Sequence, residues 1–490
     1  MITLTRNQAR RFRAVFRRST LGINHRGVVS ELVFRPEDGQ LRAQHRYADL
    51  AVEHVDPILT RSVGVVALPL DALADFEGAP ETPVTIEAAA PDRTIVRWDD
   101  RGIPQVREYA LVTPADRIEP VPALPTGWTT TPGELLDALT EATETATDDS
   151  TRYALNCLQL QGRRGQIVAT DGRQLLVRSG FAFPWDEDLL IRARPIFGCR
   201  AIPRDRPIEV SRTETHLVLR AGPWTLWCAI QREARFPQVD RVIPQPSEVV
   251  TRLQLEDRDA RFLQDALGRL PGGGDVHAPV TIELNGEVAV RAISAEGPQR
   301  VTELVLDRSS YTGAPASLCT NRVLLERALI MGFREVGLTG VESPFVCREG
   351  GRTYAVQPLS GGSPPPEDAE IIRIESASAA GGERRVDAAP EAIRRDLTVR
   401  ESRNRPEPSR STEDRNSRPA GIIPSAGTET PGTNLATLIQ EAESLHAALA
   451  DMKSRSARLV AGLRRQRKQT RLLNETLKSL RQLKLVEAAG

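Results

Sequence analysis

Short runs of alternating apolar and polar residues fill the chain to about residue 360, and then the pattern stops. Residues 1–18 begin with an apolar strand, Ile2-Thr3-Leu4, and continue as a helix in which Phe12, Val15 and Phe16 recur at i, i+3 and i+4. Strand patterns follow at Val28–Arg35, Leu41–Arg46 and Leu50–Val55, with a turn at Glu37-Asp38-Gly39. A helix near Pro69–Phe76 and strands at Val84–Ala88 and Thr94–Trp98 complete the first unit, and proline-rich residues 111–127 read as a linker.

The programme then repeats. Thr131-Pro132-Gly133-Glu134 reads as a capping box with proline at the first helical position, opening a helix whose stripe is Leu135, Leu136, Leu139 and Ala142. Strands follow around the turns GRRG and ATDGRQ, then Leu189–Arg192, a short helix near Pro195–Ala201, and strands at Ile208–Ser211, His216–Ala221 and Thr225–Gln231. A third round has a helix at Glu256–Leu270, strands at Val280–Leu284, Val288–Ala292 and Val301–Leu306, a helix at Asn321–Met331, and strands at Val336–Thr339, Ser343–Arg348 and Thr353–Gln357. Helix, strands, helix, strands thus recurs three times, with a period of about 115 to 125 residues and no shared letters. The predicted class is α+β, in units 1–120, 126–248 and 250–360.

Residues 361–432 are dominated by proline, glycine, serine and charge, which cannot bury enough apolar surface to fold; a disordered linker is expected. Over 433–487 a seven-residue repeat returns (Leu438, Leu445, Met452, Leu459, Leu473, Leu480), with polar layers at Gln466 and Thr470. This predicts a coiled-coil helix with a basic middle, Arg464-Arg465-Gln466-Arg467-Lys468, that self-associates or binds another helix. A single amphipathic helix docking on the preceding units is the alternative.

Composition narrows the functional classes. With 65 basic and 65 acidic residues the net charge is zero, so any attraction to nucleic acid must be local. Arg6, Arg10, Arg13 and Arg17 fall at i, i+4, i+7 and i+11 and place four guanidinium groups on one helix face. Like charges at this spacing repel, a cost that a facing polyanion offsets. No apolar run approaches the ~20 residues of a spanning helix. The N-terminus lacks the apolar core of a signal peptide, and a cytoplasmic location is expected. Five scattered cysteines and six scattered histidines have no ligand or disulfide spacing, and no nucleophile motif or phosphate loop is present. The expectation is a binding protein with no catalytic residues, no metal and no cofactor.

The local pattern of 151–178 fits any antiparallel hairpin, but its letters are more specific. Arg152-Tyr153-x-Leu155-Asn156, Ala169-Thr170-Asp171-Gly172 and Leu175, then Phe236-Pro237 through Arg241-Val242-Ile243-Pro244, then Tyr354-Ala355-Val356-Gln357-Pro358-Leu359 appear in that order. Together they resemble the bacterial DNA polymerase III β subunit family, the sliding clamps, over residues 1 to about 360. The resemblance implies three similar domains, each with two helices on β-sheets, and a head-to-tail homodimer ring around double-stranded DNA. It also implies tethering of DNA polymerase and loading by a clamp loader. DNA contacts would fall on Arg6, Arg10, Arg13 and Arg17, with Arg26 in the following loop. A groove for partner peptides would be formed by Leu155, Thr170, Gly172, Arg173, Leu175, Pro237, Arg241, Val242, Val356, Pro358 and Leu359.

Three features depart from the family. Gln357 and Ser360 stand where it usually has methionine and arginine, and the chain continues past Leu359. The first helix of the second unit carries Glu134, Asp137, Glu141 and Glu144, which would repel phosphate; that of the third is mixed (Arg258, Arg261, Asp265, Arg269). Two alternatives follow: a clamp-fold paralogue serving as an interaction scaffold through the coiled coil, or a coiled-coil DNA-associated regulatory protein with no ring.

Overall fold

The computed structural model describes residues 1–21, 31–57, 64–79, 81–147, 154–273, 277–293, 300–360 and 370–376. Arg26, Arg152, Tyr153 and the coiled-coil segment lie outside them, as does the linker segment apart from 370–376.

The first repeat comprises β1 (Ile2–Thr5), α1 (Arg6–Thr20), β2 (Glu31–Glu37), β3 (Gln40–Tyr47), β4 (Leu50–Pro57), β5 (Val66–Pro69), the short α2 (Leu73–Phe76), β6 (Pro83–Ala90), β7 (Arg93–Asp100) and β8 (Ile103–Ala110). The second comprises β9 (Thr129–Thr131), α3 (Glu134–Thr145), β10 (Cys157–Gln161), β11 (Gln166–Thr170), β12 (Gln174–Ser179), β13 (Asp188–Arg192), a 3-10 turn (Pro195–Gly198), β14 (Ile208–Arg212), β15 (His216–Ala221) and β16 (Trp224–Ala229). The third comprises β17 (Thr251–Gln254), α4 (Asp257–Leu267), β18 (Pro279–Asn285), β19 (Glu287–Ile293), β20 (Arg300–Val305), β21 (Ser310–Gly313), β22 (Ala316–Asn321), α5 (Arg322–Ile330), β23 (Glu335–Leu338), β24 (Phe345–Glu349) and β25 (Arg352–Val356). A last strand, β26 (Glu370–Glu375), falls where the composition predicted linker.

Each repeat contributes two ribbons of four strands, the third repeat adding β21 as a fifth strand beside β17. One is ordered β1-β6-β7-β8, β9-β14-β15-β16 or β17-β23-β24-β25; the other is β5-β2-β3-β4, β13-β10-β11-β12 or β22-β18-β19-β20. The repeats join edge to edge. β4 pairs antiparallel with β16, Trp224 opposite His54, and β12 pairs antiparallel with β25, Leu175 opposite Ala355. The result is a continuous sheet across each joint.

The core crosses the joints as well. Phe12 and Phe16, the predicted stripe of α1, meet Trp224 of the second repeat with ring centroids 6.2 and 5.4 Å away. Such edge-on aromatic pairs add ~0.5–1.5 kcal/mol beyond the area they bury. The five cysteines are free thiols; four are buried and Cys319 is half-buried, and desolvation pushes the Cys347 thiol up to about 12.

One helix start differs from the sequence reading. Thr131 is no cap: it lies in β9 opposite Ile208, and α3 begins at Glu134 after a turn through Pro132 and Gly133. Sheet pairing holds Thr131 in the ladder, out of reach of the helix. A side chain at Gly133 would place its Cβ 2.1 Å from the Arg204 carbonyl oxygen, so this entry requires glycine. Conversely, Thr5 and Gln8 form a reciprocal cap on α1, the Thr5 hydroxyl accepting from Gln8 N at 3.1 Å and Thr5 N donating to Gln8 Oε1 at 2.8 Å.

Candidate nucleic-acid face and partner groove

The helices form one row through all three repeats. α2 packs on α1, and α1 reaches the 3-10 turn, where Arg18 Nη1 donates to the Pro195 carbonyl at 3.4 Å. α3 packs on the same turn, α5 reaches α3 through Arg327 Nη2 donating to the Glu141 carbonyl at 2.8 Å, and α4 packs on α5.

The arginines of α1 divide into two groups. Arg10, Arg11 and Arg17 are exposed and hold no ion pair among the described residues. Arg6 is a structural residue instead. Its side chain is 12 % exposed, it pairs with Asp100 at 2.9 Å, and it donates to the carbonyls of Phe76, Glu77 and Asp99. Arg13 pairs with Glu77 at 2.6 Å. The expectation of four equivalent exposed guanidinium groups is therefore corrected: wrapping α2 and β7 against α1 brings acids and carbonyls to two of them. Arg26 lies outside the described residues.

The acidic face of α3 is largely neutralised from within. Asp137 meets Arg204, Glu141 meets Arg178 at 2.8 Å, and Glu144 meets Arg327 at 3.5 Å. Burial nevertheless raises the Glu141 carboxyl above its ordinary range, outweighing the arginines around it. Arg258 and Arg261 on α4, and Arg269 just past its end, are exposed and hold no ion pair among the described residues, while Asp257 is pulled down by its bond to Arg334. Positive charge thus lies at the α1 and α4 ends of the row, with a near-neutral middle.

The second candidate site sits at the joint between the second and third repeats. The ATDGRQ segment is a tight turn: Asp171 Oδ1 accepts from Arg173 N and Gln174 N, both at 2.8 Å, and Thr170 Oγ1 accepts from Gly172 N at 3.0 Å. Gly172 has φ +87°, a conformation that a side chain would strain. Gln357 N donates to the Arg173 carbonyl at 2.8 Å, and Leu359 N to the Cys319 carbonyl at 2.9 Å, which bring the segment after β25 alongside the turn. Arg173, His277, Cys319, Leu324, Pro358 and Leu359 line a cavity of about 520 Å³ here.

Strand alternation sorts the remaining predicted groove residues. Thr170 and Leu175 are register partners and buried; Leu175 packs with Val168, Val177, Val346 and Ala355 beneath Val239, Phe236 and Ile243. Pro237 is half-buried in that covering segment, Arg241 and Val242 are exposed on it, and Leu155 is half-buried. Val356 does not join this set. It is wholly buried in the main core, on the opposite face of β25, and Ala355 takes the place expected of it. The period-two pattern carried that signal, because Leu175 and Ala355 are directly opposite.

Among the described residues no group of three or more His, Cys, Asp or Glu side chains is placed to hold a metal ion, and no helix is long and apolar enough to cross a membrane.

The sequence matches no protein-family model and no curated protein. The fold does have counterparts. It is similar to a sliding clamp (DNA polymerase III subunit beta) from Pseudomonas aeruginosa bound to griselimycin, at TM-score 0.62 and 16 % identity, covering 74 % of this chain and 99 % of that one. A putative DNA polymerase III beta subunit from Eubacterium rectale (TM-score 0.62, 13 % identity) and the beta subunit from Thermotoga maritima (TM-score 0.61, 16 % identity) are similar with the same coverage. The fold is that of the sliding clamps.

Proposed function

We propose that this chain is a divergent DNA sliding clamp, a binding protein that closes head to tail with a second copy around duplex DNA and tethers DNA polymerase and other DNA-processing partners. On this reading the units 1–120, 126–248 and 250–360 are three clamp domains, the chain carries no active site, and it works in the cytoplasm. One observation carries the proposal: the two joints use the same pair of ribbon edges, and the matching edges left over, β8 and β20, belong to the two ends of the repeat array. Edges of this kind make a heterologous contact, which closes into a ring when the rotation per unit allows it.

An encircling protein needs only a weak, sequence-blind attraction to phosphate. Exposed Arg10, Arg11 and Arg17 on α1, Arg258 and Arg261 on α4, and Arg269 just past it supply this attraction through contacts that exchange easily. The partner groove would take an extended peptide, with apolar side chains seated by Leu175 and by the Arg173–Leu359 cavity.

The test is retention on DNA. After loading, by a clamp loader where one is at hand, salt-resistant retention on nicked circular plasmid that is lost on linearisation supports encirclement. Equal, salt-sensitive binding to circular and linear plasmid would overturn it in favour of simple phosphate contact. A scaffold role through the C-terminal segment would then be the better reading.

A further inference from the structure

The two leftover edges are not equivalent. Among the described residues β8 pairs on one side only, with β7, and Ile103 and Val106 are exposed by 62 % and 65 %. β20 is covered along its whole length by β26, from Arg300 opposite Glu370 to Val305 opposite Glu375. Both joints within the chain are antiparallel, whereas β26 runs parallel to β20. The tail segment therefore fills the position of the next repeat's edge strand in the wrong orientation.

We propose that β26 competes with β8 of a second copy for the β20 edge, so that the tail strand must leave before two copies close head to tail. This rests on the ring reading above. Strand addition satisfies the same backbone donors and acceptors on β20 whichever strand supplies them, so only one can be present.

The cover is built to be displaced. Parallel pairing is slightly weaker per residue than antiparallel pairing. Ile371, Ile372 and Ile374 stay 52 %, 43 % and 40 % exposed, so β26 adds little to the core. Its ion pairs, Arg300 with Glu370 at 2.9 Å and Arg373 with Glu287 at 2.6 Å, join exposed groups. The firmest attachments are to buried groups. Arg373 reaches the buried Glu303 at 3.2 Å, and the buried Ser376 hydroxyl donates to Asp259 Oδ1 at 2.7 Å.

The test uses the full chain with Thr302→Cys and Ile372→Cys, register partners on β20 and β26. Oxidation staples the cover shut and reductant frees it. The readout is amide hydrogen exchange of residues 103–110, which association through the C-terminal segment would leave unchanged. The expected result is fast exchange in the stapled chain and exchange slowed at least about tenfold after reduction, at concentrations where copies associate. Equal protection in both forms overturns the inference and leaves the ring reading standing. If reduction brings no protection, the full chain with Ile371→Pro and Ile372→Pro, which cannot pair with β20, decides. Protection there restores the competition; none means that β8 has no partner strand, and the ring reading falls together with the inference.

Discussion

The Tyr354 hydroxyl donates to Gln174 Oε1 at 2.6 Å, a bond between the third and second repeats buried at the centre of their joint. Gln174 is the hub of the groove turn. Its Nε2 donates to Asp171 Oδ2 at 3.0 Å and its N to Asp171 Oδ1 at 2.8 Å, so Tyr354 supports the turn from below. Burial pushes the Tyr354 phenol well above its ordinary range, which keeps it protonated and a donor. Tyr354→Phe leaves the Gln174 oxygen buried without a partner and should cost about 1–3 kcal/mol. Urea unfolding would read this, and a change under about 0.5 kcal/mol would mean that the bond holds nothing.

The split among the α1 arginines predicts two separable phenotypes. Arg10→Glu, Arg11→Glu and Arg17→Glu together should sharply weaken the salt-sensitive binding to linear DNA and flatten its salt dependence, while leaving salt-resistant retention on closed circles and thermal stability nearly unchanged. Arg6→Ala should do the reverse. It strips the partner from Asp100 and three carbonyls, and should lower stability by roughly 1–3 kcal/mol with little direct effect on DNA. Equal loss of linear-DNA binding in both variants would erase the distinction.

The division within α1 shows where the sequence stops being legible. Helical spacing places Arg6, Arg10, Arg13 and Arg17 on one side, but the partners of Arg6 and Arg13 come from residues 76 to 100, which no local pattern brings near. Most of the strands and their threefold recurrence were readable because burial imposes period two and period 3.6, although β5, β9, β17, β21 and β22 were missed. β8 was unreadable too: most of its residues are exposed, so the pleat leaves no alternating signature. β26 was hidden for the same reason, being exposed along its length inside a segment whose composition is that of a linker. In the groove the letters located the turn and the strands, and only the register showed that Ala355, not Val356, shares a face with Leu175.

That face assignment has its own test. Val356 lies wholly within the main core, so Val356→Ala should destabilise by about 1–3 kcal/mol. Arg241→Ala and Val242→Ala, at exposed positions of the covering segment, should stay within about 0.5 kcal/mol and alter only partner binding. Chemical denaturation of the three variants separates the two faces; comparable losses at all three positions would contradict the assignment.

Acid should destabilise the first joint before it titrates most carboxylates. His45 and His54 are buried in the first repeat, and His54 lies between Phe12 and Trp224 with ring centroids 5.0 and 4.4 Å away. Desolvation lowers both imidazoles to about 4, and for His54 it outweighs the attraction of Asp56 at 3.5 Å. The unfolded chain binds these protons below its ordinary value near 6.5, whereas the folded chain refuses them until about 4. Stability is therefore full above about pH 6.5 and falls as the pH drops through the window from 6.5 to 4, by on the order of 3 kcal/mol per histidine across it. Between about pH 6.5 and 5 ordinary carboxylates contribute little, so the slope there belongs to the histidines. Unfolding free energies of the parent, His45→Gln and His54→Gln, measured across that range, should show a shallower slope in each variant. An unchanged slope would mean that the two rings already carry protons in the folded chain.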